Sequence, residues 1–201
     1  MIQKYILNTT TEFDSKFIEE YLVLLPDFLL QKINSYALIG KKMQRIMGLR
    51  LIEKMIIENN LDKYKYNLNN LKISEFGKPY FNETLDFSLS YSEDFAVLGF
   101  YKNGKIGVDI EAIKAIDLLI IKDYCAENEF QQLSKSSDLD SDFCKLWTRK
   151  EAFSKAIGKG LFFDFSLIDS TENTLFYEGI NWNIESKLFE NKHWISSAHS
   201  V

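Results

Sequence analysis

Two carboxylates stand one residue apart in the segment Gly107-Val108-Asp109-Ile110-Glu111. On a β-strand, successive side chains point to opposite faces, so Asp109 and Glu111 would share one face while Val108 and Ile110 point into the core. Like charges held this close repel each other unless a cation lies between them, and hard cations prefer oxygen ligands. The spacing fits a metal site, although an exposed strand face that carries acids is the commoner explanation of such a pattern.

Another acid and a base with useful spacing lie in residues 147–161. Glu151 and Lys155 are four residues apart, so on a helix they project from the same face one turn apart, with Trp147 one turn earlier. By spacing alone, a surface ion pair worth about 0.3 kcal/mol is the simpler interpretation. The pair therefore needs further evidence before it indicates chemistry.

The composition excludes several classes of protein. The chain has 201 residues, of which 46% are hydrophobic and 14% aromatic, enough to bury a core as one domain or two small lobes. Its formal net charge of −5 gives no general attraction to nucleic acid or to anionic membranes. We therefore expect neither a nucleic acid nor a membrane as a partner, and any anion site must be local.

Cysteine usage and the N-terminal residues indicate where the protein works. Cys125 and Cys144 are the only cysteines, with no C-x-x-C pair and no cluster with histidine, so neither a zinc site nor a disulfide framework is indicated. Residues 1–14 contain no apolar signal-peptide core, and the apolar residues 21–30 are too few to span a bilayer. We expect a soluble, cytoplasmic protein.

Hydrophobic periodicity predicts the elements that position the charged residues. In residues 27–58 the apolar positions recur at three- and four-residue intervals, which predicts a helix with a buried stripe and a basic face. The stripe consists of Ile46, Leu49, Ile52, Met55 and Ile56, and the basic face of Lys41, Lys42, Arg45, Arg50 and Lys54. A solvated helix surface is the simpler explanation of these basic residues.

The remaining patterns predict the fold class. Further helices are predicted at residues 118–124, 129–134 and 143–157, the last ended by Gly158. Strands are predicted at residues 3–8, 85–91, 95–101, 105–111, 167–170, 174–179, 181–186 and 193–199, with a hairpin turn at Asn103-Gly104. This order predicts an α+β fold of two lobes, residues 1–104 and residues 105–201, each mixing strands with helices.

Three motifs together resemble one family. Residues 147–161 resemble the signature W-x-x-K-E-[AS]-x-x-K-x-x-G-x-G-L of 4′-phosphopantetheinyl transferases, with every fixed position present, and G-V-D-I-E lies about forty residues earlier. Residues 76–80 (FGKPY) and 87–92 (FSLSYS) are similar to the family's G-K-P and F-N-x-S-H-S segments, in the right order. The length resembles the two-lobed, monomeric surfactin-type subclass rather than the trimeric acyl-carrier-protein-synthase type, which is about half as long.

The resemblance implies a fold and a reaction. It implies two similar α+β lobes related by a pseudo-twofold axis, with coenzyme A bound in the cleft between them. It implies transfer of 4′-phosphopantetheine from coenzyme A to a serine of an acyl or peptidyl carrier protein, with release of 3′,5′-ADP. Asp109, Glu111 and Glu151 would ligate Mg²⁺, and Mn²⁺ prefers similar ligands. Glu151 would act as the base, and Lys155 would stabilise the departing phosphate.

The resemblance also implies a coenzyme A site, in which this chain departs from the family. The implied contacts are Gly77, Lys78 and Pro79 with the adenine, Ser90, Tyr91 and Arg45 with the 3′-phosphate, and Lys150 and Lys155 with other phosphate oxygens. Tyr91 stands where the family has histidine, and Ser88 where it has asparagine, so a cationic donor is lost. We expect weaker discrimination between coenzyme A and its 3′-dephospho form, unless Arg45 or Lys32 compensates.

Alternatives remain open at this point. The same acids would suit a metal-dependent phosphodiesterase or nuclease, but that enzyme needs a groove for a polyanion, which an acidic chain does not indicate. A homologue that binds coenzyme A or a carrier protein without transfer is conceivable because of Tyr91. Glu129 matches a family acid and equally suits a charge at a helix N-terminus. Residues 114–122 would contact the carrier or belong to the core.

Overall fold

A computed structural model of the protein describes residues 2–8, 15–82 and 84–201, except for the side chains of Ser15 and Ile120. The fold belongs to the predicted α+β class. The first half of the chain forms β1 (Ile2–Asn8), α1 (Ser15–Val23), α2 (Asp27–Asn34), α3 (Ile39–Glu58), β2 (Lys72–Ile73), β3 (Pro79–Tyr80), β4 (Asp86–Ser92) and β5 (Phe95–Tyr101). A short 3₁₀ turn, Leu68–Asn70, precedes β2.

The second half begins with the strand that carries the paired carboxylates. Its elements are β6 (Ile106–Ala112), α4 (Leu118–Ile121), α5 (Glu127–Leu133), α6 (Leu139–Ala156), β7 (Thr174–Tyr177), β8 (Ile180–Phe189) and β9 (His193–Ser200). Short 3₁₀ turns lie at Lys122–Tyr124, Gly160–Phe162 and Phe165–Leu167. As expected, Gly158 follows α6 with a positive φ of 80°, a conformation that glycine adopts without strain.

The two halves repeat one topology. In the described residues, one sheet has the order β1-β5-β4 and another β6-β9-β8-β7, while β2 pairs with β3. In both large sheets the first strand of the half pairs antiparallel with the last strand of the following hairpin. A long helix, α3 or α6, lies between them in the chain. The sheets divide between β5 and β6.

Each half has its own apolar core. The stripe of α3 lies in the first core, where Ile46, Ile52 and Met55 are at most 1% exposed, so the predicted helix stripe is confirmed. The second core packs Phe153 of α6 against Trp182 of β8. Among the described helices, none combines the length and apolarity needed to cross a bilayer.

A third apolar cluster joins the halves. Phe95 and Val97 of β5 pack against Val108 and Ile110 of β6, which points these side chains inward as the alternation predicts. The polar face of β6 lies against α6. A Cβ added at Gly107 would overlap the main chain of α6 at Ala152 and Ala156. Gly107 therefore allows α6 to lie directly on the strand that carries the acids.

Three predicted elements differ from the structure. The helix predicted at residues 27–58 is two helices, α2 and α3, broken at residues 35–38. The hairpin predicted at Asn103-Gly104 is wrong, because β5 and β6 belong to different sheets; the hairpin that pairs β4 with β5 turns at Glu93 and Asp94. Glu93 has a positive φ of 47° in that turn.

The strand predicted at residues 167–170 is also wrong. Side chains of α6 take the main-chain oxygens that a strand ladder would use. Lys150 Nζ donates to Ile168 O at 2.7 Å, and Arg149 Nε donates to Ser170 O at 2.5 Å. The segment therefore lies as an irregular connection against α6.

We predict that Gly107→Ala destabilises the protein by about 3 kcal/mol, because the added Cβ cannot be accommodated without moving the α6 main chain. Urea unfolding measures the change. Gly40→Ala is the matched control, since its added Cβ has no heavy atom within 4 Å. A Gly107→Ala protein as stable as the control would contradict the close packing of β6 on α6.

Candidate active site

The candidate site is held together by side chains that join β4 to β6. Both are edge strands of their sheets, so β6 has main-chain N–H groups without a strand partner. Side-chain oxygens of β4 accept hydrogen bonds from these groups. The bonds run from Ile106 to Asp86 (2.7 Å), from Val108 to Ser88 (3.1 Å) and from Ala112 to Ser92 (3.0 Å). We call Asp86, Ser88, Ser90 and Ser92 the polar seam.

Lys78 reinforces one end of the polar seam. Its ammonium lies 2.8 Å from Asp86 and donates to the main-chain oxygen of Ile106 at 3.1 Å. Asp86 and Lys78 thus hold both the N–H and the C=O of Ile106. Lys78 lines the cleft between the halves. Its ammonium is already paired with Asp86, so it has fewer free N–H donors for an adenine or phosphate contact.

The acids and Lys155 meet in that cleft, which has a volume of about 420 Å³. Asp109, on β6, is 1% exposed and accepts a hydrogen bond from Ser90 Oγ at 2.7 Å. Lys155 Nζ, on α6, lies 2.5 Å from Asp109 Oδ1 and 3.7 Å from Glu151 Oε2. Glu111 lines the same cleft, so the structure brings the three expected ligands and Lys155 together.

The surroundings shift the protonation of these groups. Burial raises the pKa of Glu151 to about 7; Lys155 opposes this rise, and Asp109 and Glu111 add to it. Burial, and after it the charge of Asp109, raises the pKa of Glu111. Burial lowers the pKa of Lys155, but the carboxylates of Asp109 and Glu151 outweigh burial and raise it overall. The three carboxylates therefore have too little positive charge around them, and Lys155 keeps its ammonium form.

The donor set fits a divalent cation. Three carboxylates face one ammonium, and Asp109 Oδ2 is buried without a hydrogen-bond partner. Carboxylate oxygens are the ligands that Mg²⁺ prefers. Within the described residues, however, no three acidic, histidine or cysteine side chains are already gathered closely enough to ligate one ion. The chemistry of the donors thus fits, while their present geometry is that of an ion-pair cluster with Lys155.

The residues expected to bind coenzyme A fall into separate groups. Arg45 and Tyr91 line both the cleft and an adjoining cavity of about 210 Å³. Gly77 lines both as well, in a turn where its φ of 82° requires glycine, and Pro79 lines the smaller cavity. Ser90 instead faces Asp109 and accepts a hydrogen bond from Lys155 Nζ at 3.1 Å.

Lys150 requires a correction, because the structure does not place it in the cleft. Its ammonium lies 2.6 Å from Glu129 Oε2, in a pair whose side chains are 1% and 0% exposed, and donates to Phe165 O at 2.6 Å. Glu129 also accepts a hydrogen bond from the N–H of Ala126 at the start of α5. All donors of Lys150 are used in the interior, so we do not retain its expected phosphate contact.

Sequence reasoning did not identify the polar seam. The chain carries Asp86, Ser88, Ser90 and Ser92 at every second position, which is a detectable signal. Polar residues on one face of a strand usually indicate solvent. Here Ser88 is 1% exposed and Ser92 is 5% exposed, so the alternation marks an interface between two strand edges.

We predict that Lys150→Met lowers the free energy of unfolding by about 4 kcal/mol, because it leaves the Glu129 carboxylate buried without its partner. Urea unfolding checks this, with Lys159→Met, whose side chain is 45% exposed, as the control. If Lys150→Met kept its stability and lost affinity for coenzyme A, the phosphate contact would be restored and the structural role rejected.

Comparison with known proteins agrees with this site. Residues 105–196 match the profile of the 4′-phosphopantetheinyl transferase superfamily. The 4′-phosphopantetheinyl transferase gsp of Aneurinibacillus migulanus is 33% identical over 134 residues, which cover 63% of this chain and 53% of that protein. The 4′-phosphopantetheinyl transferase Sfp of Bacillus subtilis (strain 168) is 35% identical over 105 residues, which cover 49% of this chain and 46% of that protein.

A solved structure is also similar, at a lower level. The crystal structure of Thermotoga maritima holo-[acyl-carrier-protein] synthase (AcpS) aligns with a TM-score of 0.38 and 14% identity, over 48% of this chain and 62% of that chain.

The matched region contains the cleft residues. The chain spans about half the length of the curated relatives it matches. The profile match includes β6 with Asp109 and Glu111, and α6 with Glu151 and Lys155. The sequence profile and separate relatives agree over these elements, so this part of the chain is similar to the 4′-phosphopantetheinyl transferase superfamily.

Proposed function

We propose that this protein transfers the 4′-phosphopantetheine group of coenzyme A to a serine of an acyl or peptidyl carrier protein. The observation that carries this proposal is the meeting of Asp109, Glu111, Glu151 and Lys155 in one cleft between the halves. Phosphoryl transfer depends mainly on positioning and on charge stabilisation, and this cleft supplies acids and a cation for both. The similarity of residues 105–196 to the 4′-phosphopantetheinyl transferase superfamily supports the same reaction class.

A divalent cation belongs to the proposed site. Asp109, Glu111 and Glu151 would hold Mg²⁺, and Mn²⁺ would suit the same oxygen ligands. The bound ion would neutralise negative charge on the diphosphate of coenzyme A. Support comes from the unpartnered Asp109 Oδ2 and from the excess of carboxylates over ammonium groups around it.

The chain's own residues have distinct roles in the proposed transfer. The serine oxygen of the carrier forms a bond to the phosphorus next to pantetheine, the bond from that phosphorus to 3′,5′-ADP breaks, and the serine proton passes to Glu151. Lys155 holds an oxygen of the departing phosphate. Ser90 orients both Asp109 and Lys155 through hydrogen bonds of 2.7 and 3.1 Å.

The two lobes form the walls of the proposed coenzyme site. We assign residues 1–104 and 105–201 to them, with the nucleotide against the first and the acids on the second. Gly77 and Pro79, at one cavity, would lie against the adenine, with Lys78 beside them. Arg45, where that cavity meets the cleft, would bind the 3′-phosphate, with Tyr91 beneath the Arg45 guanidinium.

We propose further that the protein acts as a monomer in the cytoplasm. Cys125 and Cys144 are both free and buried, which suits a reducing compartment. The paired lobes place the acids and the proposed nucleotide contacts in a single chain, so the cleft needs no second copy.

The test is the mass of an apo carrier protein after incubation with this protein, coenzyme A and Mg²⁺. We expect a gain of one phosphopantetheine group, which disappears with excess chelator and with Glu151→Ala. The exposed Glu127→Ala is the control for Glu151→Ala. Binding of coenzyme A without any mass gain on several unrelated carriers would reject transfer and support a non-catalytic homologue.

For Lys155→Ala we predict a fall in kcat of about a hundredfold, with a change in the Kd of coenzyme A below about fivefold, because its main role is at the departing phosphate. Single-turnover rates and calorimetry measure the two quantities. Lys159→Ala, one turn later and outside the cleft, is the control. Equal losses in kcat and affinity would assign Lys155 to ground-state binding instead.

A further inference from the structure

Gly48 of α3 leaves a notch that Tyr91 fills. A Cβ added at Gly48 would overlap the Tyr91 hydroxyl and would lie 2.9 Å from Cζ and 3.0 Å from Cε1 of the ring. Gly40, in the same helix, has no heavy atom within 4 Å of an added Cβ. Glycine in a helix interior is destabilising relative to alanine, so a glycine with this close contact indicates a requirement for the Tyr91 ring.

The Tyr91 ring in turn supports Arg45. The Arg45 guanidinium carbon lies 4.3 Å from the centroid of the Tyr91 ring and 5.4 Å from that of Tyr36. Arg50, farther along the helix, pairs with Glu53 at 2.8 Å, but Arg45 has no carboxylate partner among the described residues. Arg45 Nε is buried without a hydrogen-bond partner. The guanidinium thus lies over the Tyr91 ring and near its hydroxyl, while its charge has no carboxylate partner among the described residues.

The surroundings of Arg45 favour an anion. Arg45 and Tyr91 lie where the smaller cavity meets the cleft, and Lys32 lines the first and Lys41 the second. No acidic side chain of the described residues lines the smaller cavity. A guanidinium held in place presents a planar edge of N–H donors, which matches the oxygens of a phosphate group.

We propose that Gly48 and Tyr91 are a matched pair of positioning residues that determine specificity for the 3′-phosphate of the nucleotide. The inference rests on the proposed function, because coenzyme A is taken as the substrate. The Tyr91 hydroxyl lies in the notch at Gly48 and does not itself bind the phosphate. Instead the ring face of Tyr91 fixes Arg45, and Arg45 binds the phosphate. Position 91 therefore acts on phosphate recognition through another residue.

From the sequence, Tyr91 suggests weaker discrimination between coenzyme A and its 3′-dephospho form. The proposal predicts instead that this discrimination is kept. Calorimetry on the full chain would give the Kd of coenzyme A and of 3′-dephospho-coenzyme A. We expect the wild type to bind coenzyme A about tenfold more tightly, the value of a charge-assisted hydrogen bond. Gly48→Ala, which displaces the ring, should reduce that ratio to about twofold or less, while Gly40→Ala should keep it.

Variants at position 91 separate the ring from its hydroxyl. Tyr91→Phe keeps the face beneath Arg45 and should retain the tenfold ratio, whereas Tyr91→Leu removes the face and should lose it. The double variant Gly48→Ala/Tyr91→Leu should lose no more than either single variant, because both changes act through Arg45. Binding of the 3′-dephospho form shows that each variant is folded, since that ligand lacks the group in question.

The outcomes distinguish the inference from the proposed function. A wild type that binds both ligands equally, or a Tyr91→Phe protein that loses the ratio while Gly48→Ala keeps it, would overturn the inference and leave phosphopantetheine transfer intact. A wild type that binds neither ligand would overturn both. Loss of the ratio in Gly48→Ala and Tyr91→Leu, with the ratio kept in Tyr91→Phe and Gly40→Ala, would support the pairing.

Discussion

The site depends on how the unpaired edge of β6 is satisfied. A buried N–H without an acceptor costs about 1–3 kcal/mol, and β6 turns such groups toward the other half of the molecule. A neighbouring strand would normally accept from them through its main chain. Here the side chains of the polar seam accept instead, with Asp86, Ser88 and Ser92 as acceptors. The joint between the halves is therefore specified by side-chain identity.

The joint between the halves also sets which face of β6 carries the acids. Side chains of a strand alternate between faces, so a slip of one residue would turn Asp109 and Glu111 into the core and Val108 and Ile110 toward the cleft. The polar seam opposes such a slip on one edge of β6. The apolar contact between β5 and β6 opposes it as well, since Val97 and Val108 are both fully buried. The orientation of the acids thus follows from contacts that both halves supply.

The sequence predicts those features that depend on neighbouring residues. The shared face of Asp109 and Glu111 follows from strand alternation, and the shared face of Glu151 and Lys155 from helix periodicity, so both pairs could be identified. The contact of Ser90 with Asp109 joins residues from different halves, and no local pattern encodes it. The break between α2 and α3 is a similar case, because the apolar spacing continues through residues 35–38 and does not mark it.

The contrast between two lysines of α6 shows where motif reasoning ends. Lys150 and Lys155 stand in one motif, but five residues at 3.6 per turn place them about 140° apart around the helix, so they meet different surroundings. Lys150 finds one carboxylate and two carbonyl oxygens, is fully enclosed, and becomes structural. Lys155 remains 25% exposed among more carboxylates than it can neutralise. The Lys155 ammonium therefore remains accessible from the cleft. This difference in enclosure explains why Lys150 stabilises the fold whereas Lys155 is suited to chemistry.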